Sequence, residues 1–294
     1  MLWKRVLTAL IGIPLALLLV HLGGWWLAGA VALLALLGLA EFYRLTALRS
    51  LKAYAWIGYP LGLAAILLIA LHATLRPGTF PPRWQFGLPA HCLGLIGLLI
   101  WATTLFPKRS GGRLLSTVVG VAYVPSLLSY LVRLRLLPGP FVPVGLPAGW
   151  LAGRSDLRLD FGEVALAGVL VICWGMDTAA YAVGKTIGRH KLCPHLSPGK
   201  TIEGAIAALL TASLLGIGLF ALLRFPLAHG ALFGAILGIA GQLGDLFESL
   251  LKRRAGVKDS GALLPGHGGV LDRFDSLLFN APAAYLYLRI VLGL

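Results

Sequence analysis

Five carboxylates and five cations stand within one stretch, Gly241 to Ser276, where Asp245, Glu248, Asp259, Asp272 and Asp275 alternate with Lys252, Arg253, Arg254, Lys258 and Arg273. Together these types can do one kind of work: acidic oxygens hold a hard divalent cation, while Lys and Arg hold phosphate. Asp245, Ser249 and Lys252 fall at i, i+4 and i+7, with Gln242 three residues earlier, so they line one polar stripe of a helix. Asp272 and Asp275, three apart, open the last apolar run. Between them, Lys258-Asp259-Ser260-Gly261 and Pro265-Gly266-His267-Gly268-Gly269 form a loop whose glycines let backbone approach a ligand closely. His267 either donates to phosphate or holds the turn, and both readings stand.

Asp245 and Asp272 are the expected metal ligands. An Asp at membrane depth costs ~2.5–3.5 kcal/mol, so Asp245 and Glu248 need a cation, an ion pair or water. Simpler accounts compete: Asp245 pairs with Lys252 or Arg253 at the interface, or Asp272 and Asp275 cap a helix and favour its dipole. Capping explains one of the two. Both carboxylates brought near Asp245 would repel unless neutralised, and hard oxygen ligands point to Mg²⁺.

A second polar connector runs from Asp177 to Gly204. Gly184 and Gly188 flank Lys185, and Ser197-Pro198-Gly199-Lys200-Thr201 leads into Glu203 as an N-capped helix start would. It suits phosphate, with Ser197 and Lys200 as contacts, yet it is no Walker A loop, because GxxxxGK[ST] is absent. His190, Cys193 and His195 lack a fourth ligand and the usual spacing for zinc.

The elements that must position these residues read as membrane helices. The chain is 58% hydrophobic and 12% charged, against roughly 25% charged for soluble domains. Its formal charge of +14 belongs to cytoplasmic loops facing anionic headgroups rather than to nucleic acid. The three cysteines are too few and scattered for a disulfide framework. Apolar runs predict nine spans: Val6–Leu22, Trp25–Leu39, Tyr54–Leu71, Leu88–Phe106, Leu114–Leu131, Val164–Val183, Gly204–Leu223, Ala231–Leu251 and Leu277–Leu294. The expected fold is all-α, a polytopic membrane protein. The Pro- and Gly-rich segment Arg133–Glu163 divides it into a scaffold, residues 1–160, and a catalytic region, residues 161–294. With the N-terminus cytoplasmic, inside segments carry 17 Lys and Arg and outside segments 7, so both polar connectors face the cytoplasm. Gly234, Gly238 and Gly241 are spaced to admit a neighbouring helix.

On these residues the chain resembles the phosphatidate cytidylyltransferase family, also called CDP-diacylglycerol synthase. Ser249, Leu251, Lys252, Arg253, Lys258, Asp259, Gly261, Leu264, Pro265, His267, Gly268, Gly269, Val270, Asp272, Arg273, Phe274 and Asp275 fill the family's C-terminal pattern. Asp177, Tyr181, Gly184, Lys185 and the Ser197–Thr201 run resemble its upstream segment. About a third of the chain carries the resemblance. It implies that CTP and phosphatidic acid react to CDP-diacylglycerol and pyrophosphate at the cytoplasmic face of the inner membrane. It also implies Mg²⁺, K⁺ as a second ion, and a homodimer. Asp245, Asp272, Lys252 and Ser249 would then be catalytic. Arg253, Lys258, His267, Gly268, Gly269, Arg273, Ser197 and Lys200 would bind nucleotide and phosphates, with Asp177, Glu248, Asp259 and Asp275 as supporting carboxylates. Two rivals remain: another membrane transferase or kinase on a lipid phosphate, and an anion transporter. The D-G-x-x-A-R pattern of CDP-alcohol phosphotransferases is missing, and a transporter would place its charges near the midplane.

Overall fold

The computed structural model describes residues 2–75, 108–139, 142–143, 158–261 and 268–293. The protein is mostly helical. In chain order its helices are α1 (Leu2–Leu22), α2 (Gly24–Ala47), α3 (Ala55–Leu75), α4 (Lys108–Tyr123), α5 (Pro125–Arg135), α6 (Phe161–Thr186), α7 (Ile202–Leu222), α8 (Leu227–Ala255) and α9 (Leu271–Leu286). Among the described residues six candidate spans are long and apolar enough to cross a membrane: Gly24–Ala47, Ala55–Leu75, Gly111–Arg135, Phe161–Thr186, Ile202–Leu222 and Leu227–Ala255. The expected span Leu88–Phe106 lies outside the described residues, as does much of the Arg133–Glu163 boundary.

Several boundaries differ from the sequence reading for identifiable reasons. The expected span Leu114–Leu131 lengthens to Gly111–Arg135 and breaks at Val124, because Pro125 has no N–H to give the turn before it. The last helix starts at Leu271 rather than Leu277. Its first turn holds charge that a hydropathy run excludes, and it ends in a π-turn, Tyr287–Val291. Two short antiparallel hairpins interrupt the all-α picture: β1 (Val142–Pro143) with β2 (Arg158–Leu159), and β3 (Lys191–Cys193) with β4 (Ser197–Thr201).

The core is held by helix faces meeting at small residues. On α8, a Cβ at Gly234 would strike the Ala212 carbonyl of α7, and one at Gly238 would press on Leu209, so two of the three spaced glycines do admit a neighbour. Gly241 opens instead toward Asn280 of α9 and Met176 of α6. One contiguous apolar cluster runs through the helices, from Val20 on α1 to Leu288 beyond α9. At its polar end Tyr123, Phe247 and Phe279 meet edge to face or tilted, with centroids 5.1–6.5 Å apart, and lock α4, α8 and α9 together beside Glu248.

Candidate active site

α8 carries the stripe. Gln242 Nε2 donates to the carbonyls of Ala205 and Gly238 at 3.2 and 2.9 Å, fixing α8 against α7. One turn on, Asp245 pairs with Lys200 at 2.6 Å. A further turn on, Glu248 is fully buried and pairs with Lys252 at 2.5 Å. Lys252 Nζ also donates to Asp272 Oδ1 at 2.6 Å, so one ammonium joins α8 to the first turn of α9. Ser249 is buried beside them.

Asp272 is held on its other oxygen too. Its Oδ2 accepts from the amides of Ser260 and Gly269 at 3.0 and 2.8 Å and lies 3.0 Å from the Ser260 hydroxyl. The bond from Gly269, three residues earlier, ties the carboxylate back to the turn before α9 and coexists with the Lys252 pair. Gly268, at φ +81°, supplies the turn that delivers this amide.

The β3–β4 hairpin brings the second connector to the same end. Thr201 caps α7 by accepting from the Gly204 amide at 3.1 Å, which realises the expected N-capped start. Glu203 in that first turn reaches back to the His190 ring at 2.7 Å and to its amide, pinning the start of the hairpin. Arg253, expected on phosphate, donates to the carbonyls of Leu196 and Val257 at 3.2 and 3.1 Å and so ties the hairpin to the end of α8. Ser197 is half-buried in β4, and Lys258, Asp259 and Arg273 are exposed. His267 lies outside the described residues.

Beside the stripe opens a cavity of about 570 Å³, with Asp177, Tyr181, Lys185, Lys191, Lys200 and Asp245 in its wall and Ser276 at its side. Ser276 Oγ contacts Asp177 Oδ1 at 3.4 Å and its amide donates to Asp275 Oδ1 at 2.7 Å. Asp177, Asp245 and Asp275 are near enough for their charges to act on one another. The two expected metal ligands therefore sit in different settings: Asp245 among carboxylates with Lys200, Asp272 bound by Lys252 and the loop. Among the described residues no three His, Cys, Asp or Glu side chains form a ready metal-binding group.

Two residues of this end escaped the sequence reading: Lys191, which joins Lys185 and Lys200 in the cavity, and Glu41 of α2, which reaches the α9 loop from the other half of the chain and accepts from the amides of Val270 and Leu271 at 2.9 Å each. A signal for the latter existed: Glu41 is the one acidic residue before Asp156.

The profile of the Cytidylyltransferase family matches residues 3–291. The chain belongs to that family. It is 37% identical to the phosphatidate cytidylyltransferase of Synechocystis sp. over 301 residues, covering 98% of the chain and 97% of that protein. The phosphatidate cytidylyltransferase of Bacillus subtilis is 48% identical over 133 residues, 45% of the chain and 49% of that protein. The uncharacterized protein YnbB of Escherichia coli is 35% identical over 232 residues, 77% of each. This family member is thus a multi-pass membrane protein whose shared sequence runs through helices and polar connectors alike.

Proposed function

We propose that the protein is a CTP:phosphatidate cytidylyltransferase, making CDP-diacylglycerol and pyrophosphate. One observation carries this reading. Residues from separate segments, Asp177, Lys200, Asp245–Lys252, Ser260 and Gly269–Ser276, are drawn by hydrogen bonds and ion pairs to one end of the helices. Similarity across 97% of a relative named for this activity supports the choice of substrates.

The chemistry asks little of covalent catalysis. An oxygen of the phosphatidate phosphate attacks the α-phosphorus of CTP, the new P–O–P bond forms, and the bond from the α-phosphorus to the bridging oxygen breaks to release pyrophosphate. The lipid phosphate is already a nucleophile, so the protein has to orient two anions and neutralise their charge. Lys185, Lys191 and Lys200 line the cavity for phosphates, the exposed Lys258 and Arg273 would add phosphate contacts, and Lys252 can turn one of its three N–H donors to a phosphate while holding Glu248 and Asp272. Ser249 would add a hydrogen bond.

The donor chemistry suits a divalent cation, although the described side chains form no ready metal-binding group. Asp177, Asp245 and Asp275 bring hard oxygen donors near Lys200, and Glu248 Oε1 is buried without a hydrogen-bond partner among the described residues. Asp245 and Asp272 would hold Mg²⁺, with Asp177, Glu248, Asp259 and Asp275 in support and K⁺ as a second ion. Bound there, the cation would supply charge neutralisation at the α-phosphate and the leaving pyrophosphate. We place the site on the cytoplasmic face of the inner membrane, in a nine-span chain with a cytoplasmic N-terminus. Residues 1–160 form the scaffold, residues 161–294 the catalytic region, and the protein works as a homodimer.

The test is transfer of label from CTP into chloroform-extractable lipid by purified protein with phosphatidic acid and Mg²⁺. The expected result is lipid product from wild type, none from Asp272→Asn, and loss on chelation that Mg²⁺ restores. Anion flux into liposomes with no nucleotide turnover would overturn the assignment.

A further inference from the structure

Glu41 sits on the C-terminal half of α2, far in sequence from every residue of the family's pattern, and is buried at 8% exposure. Its carboxylate is nevertheless fully engaged by the loop that carries Asp272. Oε1 accepts from the Val270 amide at 2.9 Å, Oε2 from the Leu271 amide at 2.9 Å, and Oε2 also lies 2.9 Å from the Ser260 hydroxyl. Two of these donors are N-terminal amides of α9, which a helix leaves without internal partners.

The surroundings are shaped for that carboxylate. A Cβ at Gly261 or at Gly269 would collide with the Glu41 oxygens, and a Cβ at Gly269 would also strike Ser260 Oγ. Gly38, on the same face of α2 one turn earlier, leaves room for Leu271. The base of α2 is itself fixed, by Tyr43 donating to the Thr117 carbonyl at 3.1 Å and by Arg49 donating to the Arg254 carbonyl. Ser260 then links the anchor to the site: its hydroxyl lies 2.9 Å from Glu41 Oε2 and 3.0 Å from Asp272 Oδ2.

We propose that Glu41 is a positioning residue of the cytidylyl-transfer site, clamping the start of α9 and, through Ser260, setting the orientation of the Asp272 carboxylate. The proposal rests on the cytidylyltransferase reading. It makes the first half of the chain part of the site's geometry. Glu41 touches none of the lysines of the cavity, so its loss acts on turnover and not on capture of the nucleotide.

The experiment compares wild type, Glu41→Gln, Glu41→Asp, Ser260→Ala and the Glu41→Gln/Ser260→Ala double variant in detergent. Lipid-product kinetics are read beside hydrogen exchange at the Val270 and Leu271 amides. A Gln amide cannot accept on both arms, so Glu41→Gln should lower kcat by about tenfold or more, the scale of one lost charge-assisted hydrogen bond, with KM for CTP unchanged. Exchange at both amides should speed up, and Glu41→Asp should recover part of the rate. Because both residues act on Asp272 in series, the double variant should lose little more than the worse single one. Wild-type kcat in Glu41→Gln, a rise in KM alone, or additive losses would overturn the proposal. Should Glu41→Gln fail to accumulate, Ser260→Ala decides alone: an unchanged kcat there overturns it. If wild type made no lipid product while Glu41→Gln still exchanged faster, the anchor would stand and the substrate assignment would fall.

Discussion

Lys252 is the residue on which the most charge depends. Its ammonium separates Glu248, fully buried, from Asp272 at 2.5 and 2.6 Å. Lys252→Met fills the volume but leaves a buried carboxylate without its counter-ion. We expect a loss of about 3–5 kcal/mol, the usual penalty for breaking a buried pair, read as a fall in the unfolding midpoint in detergent. Adding Glu248→Gln should restore part of that stability while activity stays lost; no recovery would mean that the cost lies elsewhere. Lys258, exposed to solvent, should behave differently: Lys258→Ala should raise KM for CTP and leave stability alone, and an unchanged KM would remove it from nucleotide binding. Lys252, Asp272 and Asp245 were legible in the sequence because charge in an apolar chain stands out and their spacing fits a helix. Glu41 was not, since its partners lie 219 to 230 residues away and no local pattern encodes a contact of that range. Arg253 was legible as a cation but not as a strut, because the carbonyls that it holds belong to backbone whose path the sequence does not show.

At the scale of elements, the close seam between α7 and α8 is the feature most sensitive to a single methyl group. A Cβ on Gly234 points at backbone, the Ala212 carbonyl, which cannot rotate away. Gly234→Ala should therefore destabilise by about 1–3 kcal/mol, the range for overpacking a filled interface. It should also move Gln242 and Asp245, which lie on the same helix. Gly218→Ala on the exposed face of α7, where nothing stands within 4 Å of the added atom, is the control and should be neutral or slightly stabilising. Equal effects in thermal unfolding would count against the tight seam. The helices themselves were readable from uninterrupted apolar runs, and the glycine spacing announced the seam. The β3–β4 hairpin was not readable: its strands are short, polar and contain Pro198 and Gly199, and they carry no alternation of buried and exposed residues for periodicity to detect. The expected last span began late, at Leu277, for a related reason: hydropathy places Asp272 and Asp275 outside the run, although their spacing already marked them as early-turn carboxylates of α9.

For the molecule as a whole, the site can work only if its polar end meets the compartment that holds CTP. α8 spans 29 residues, about 43 Å at 1.5 Å per residue, which exceeds the ~30 Å hydrocarbon core, so its two flanks must emerge on opposite sides. Arg224 precedes it, and Lys258 follows it next to the Asp272 loop. The excess of Lys and Arg, 17 against 7 between the two sets of segments, leads us to propose that the Lys258 side faces the cytoplasm. That assignment is tested in a background where Cys92, Cys173 and Cys193 are replaced. In intact cells with a permeable outer barrier, an impermeant maleimide should label Arg224→Cys at once and Lys258→Cys only after the inner membrane is opened. The reverse pattern would put Lys200, Lys252 and Asp272 outside, beyond the reach of cytoplasmic nucleotide, and the cytidylyl-transfer reading could not survive it. Labelling of both positions from one side would instead mean that α8 does not cross the membrane. The length argument would then fail before the charge argument is reached.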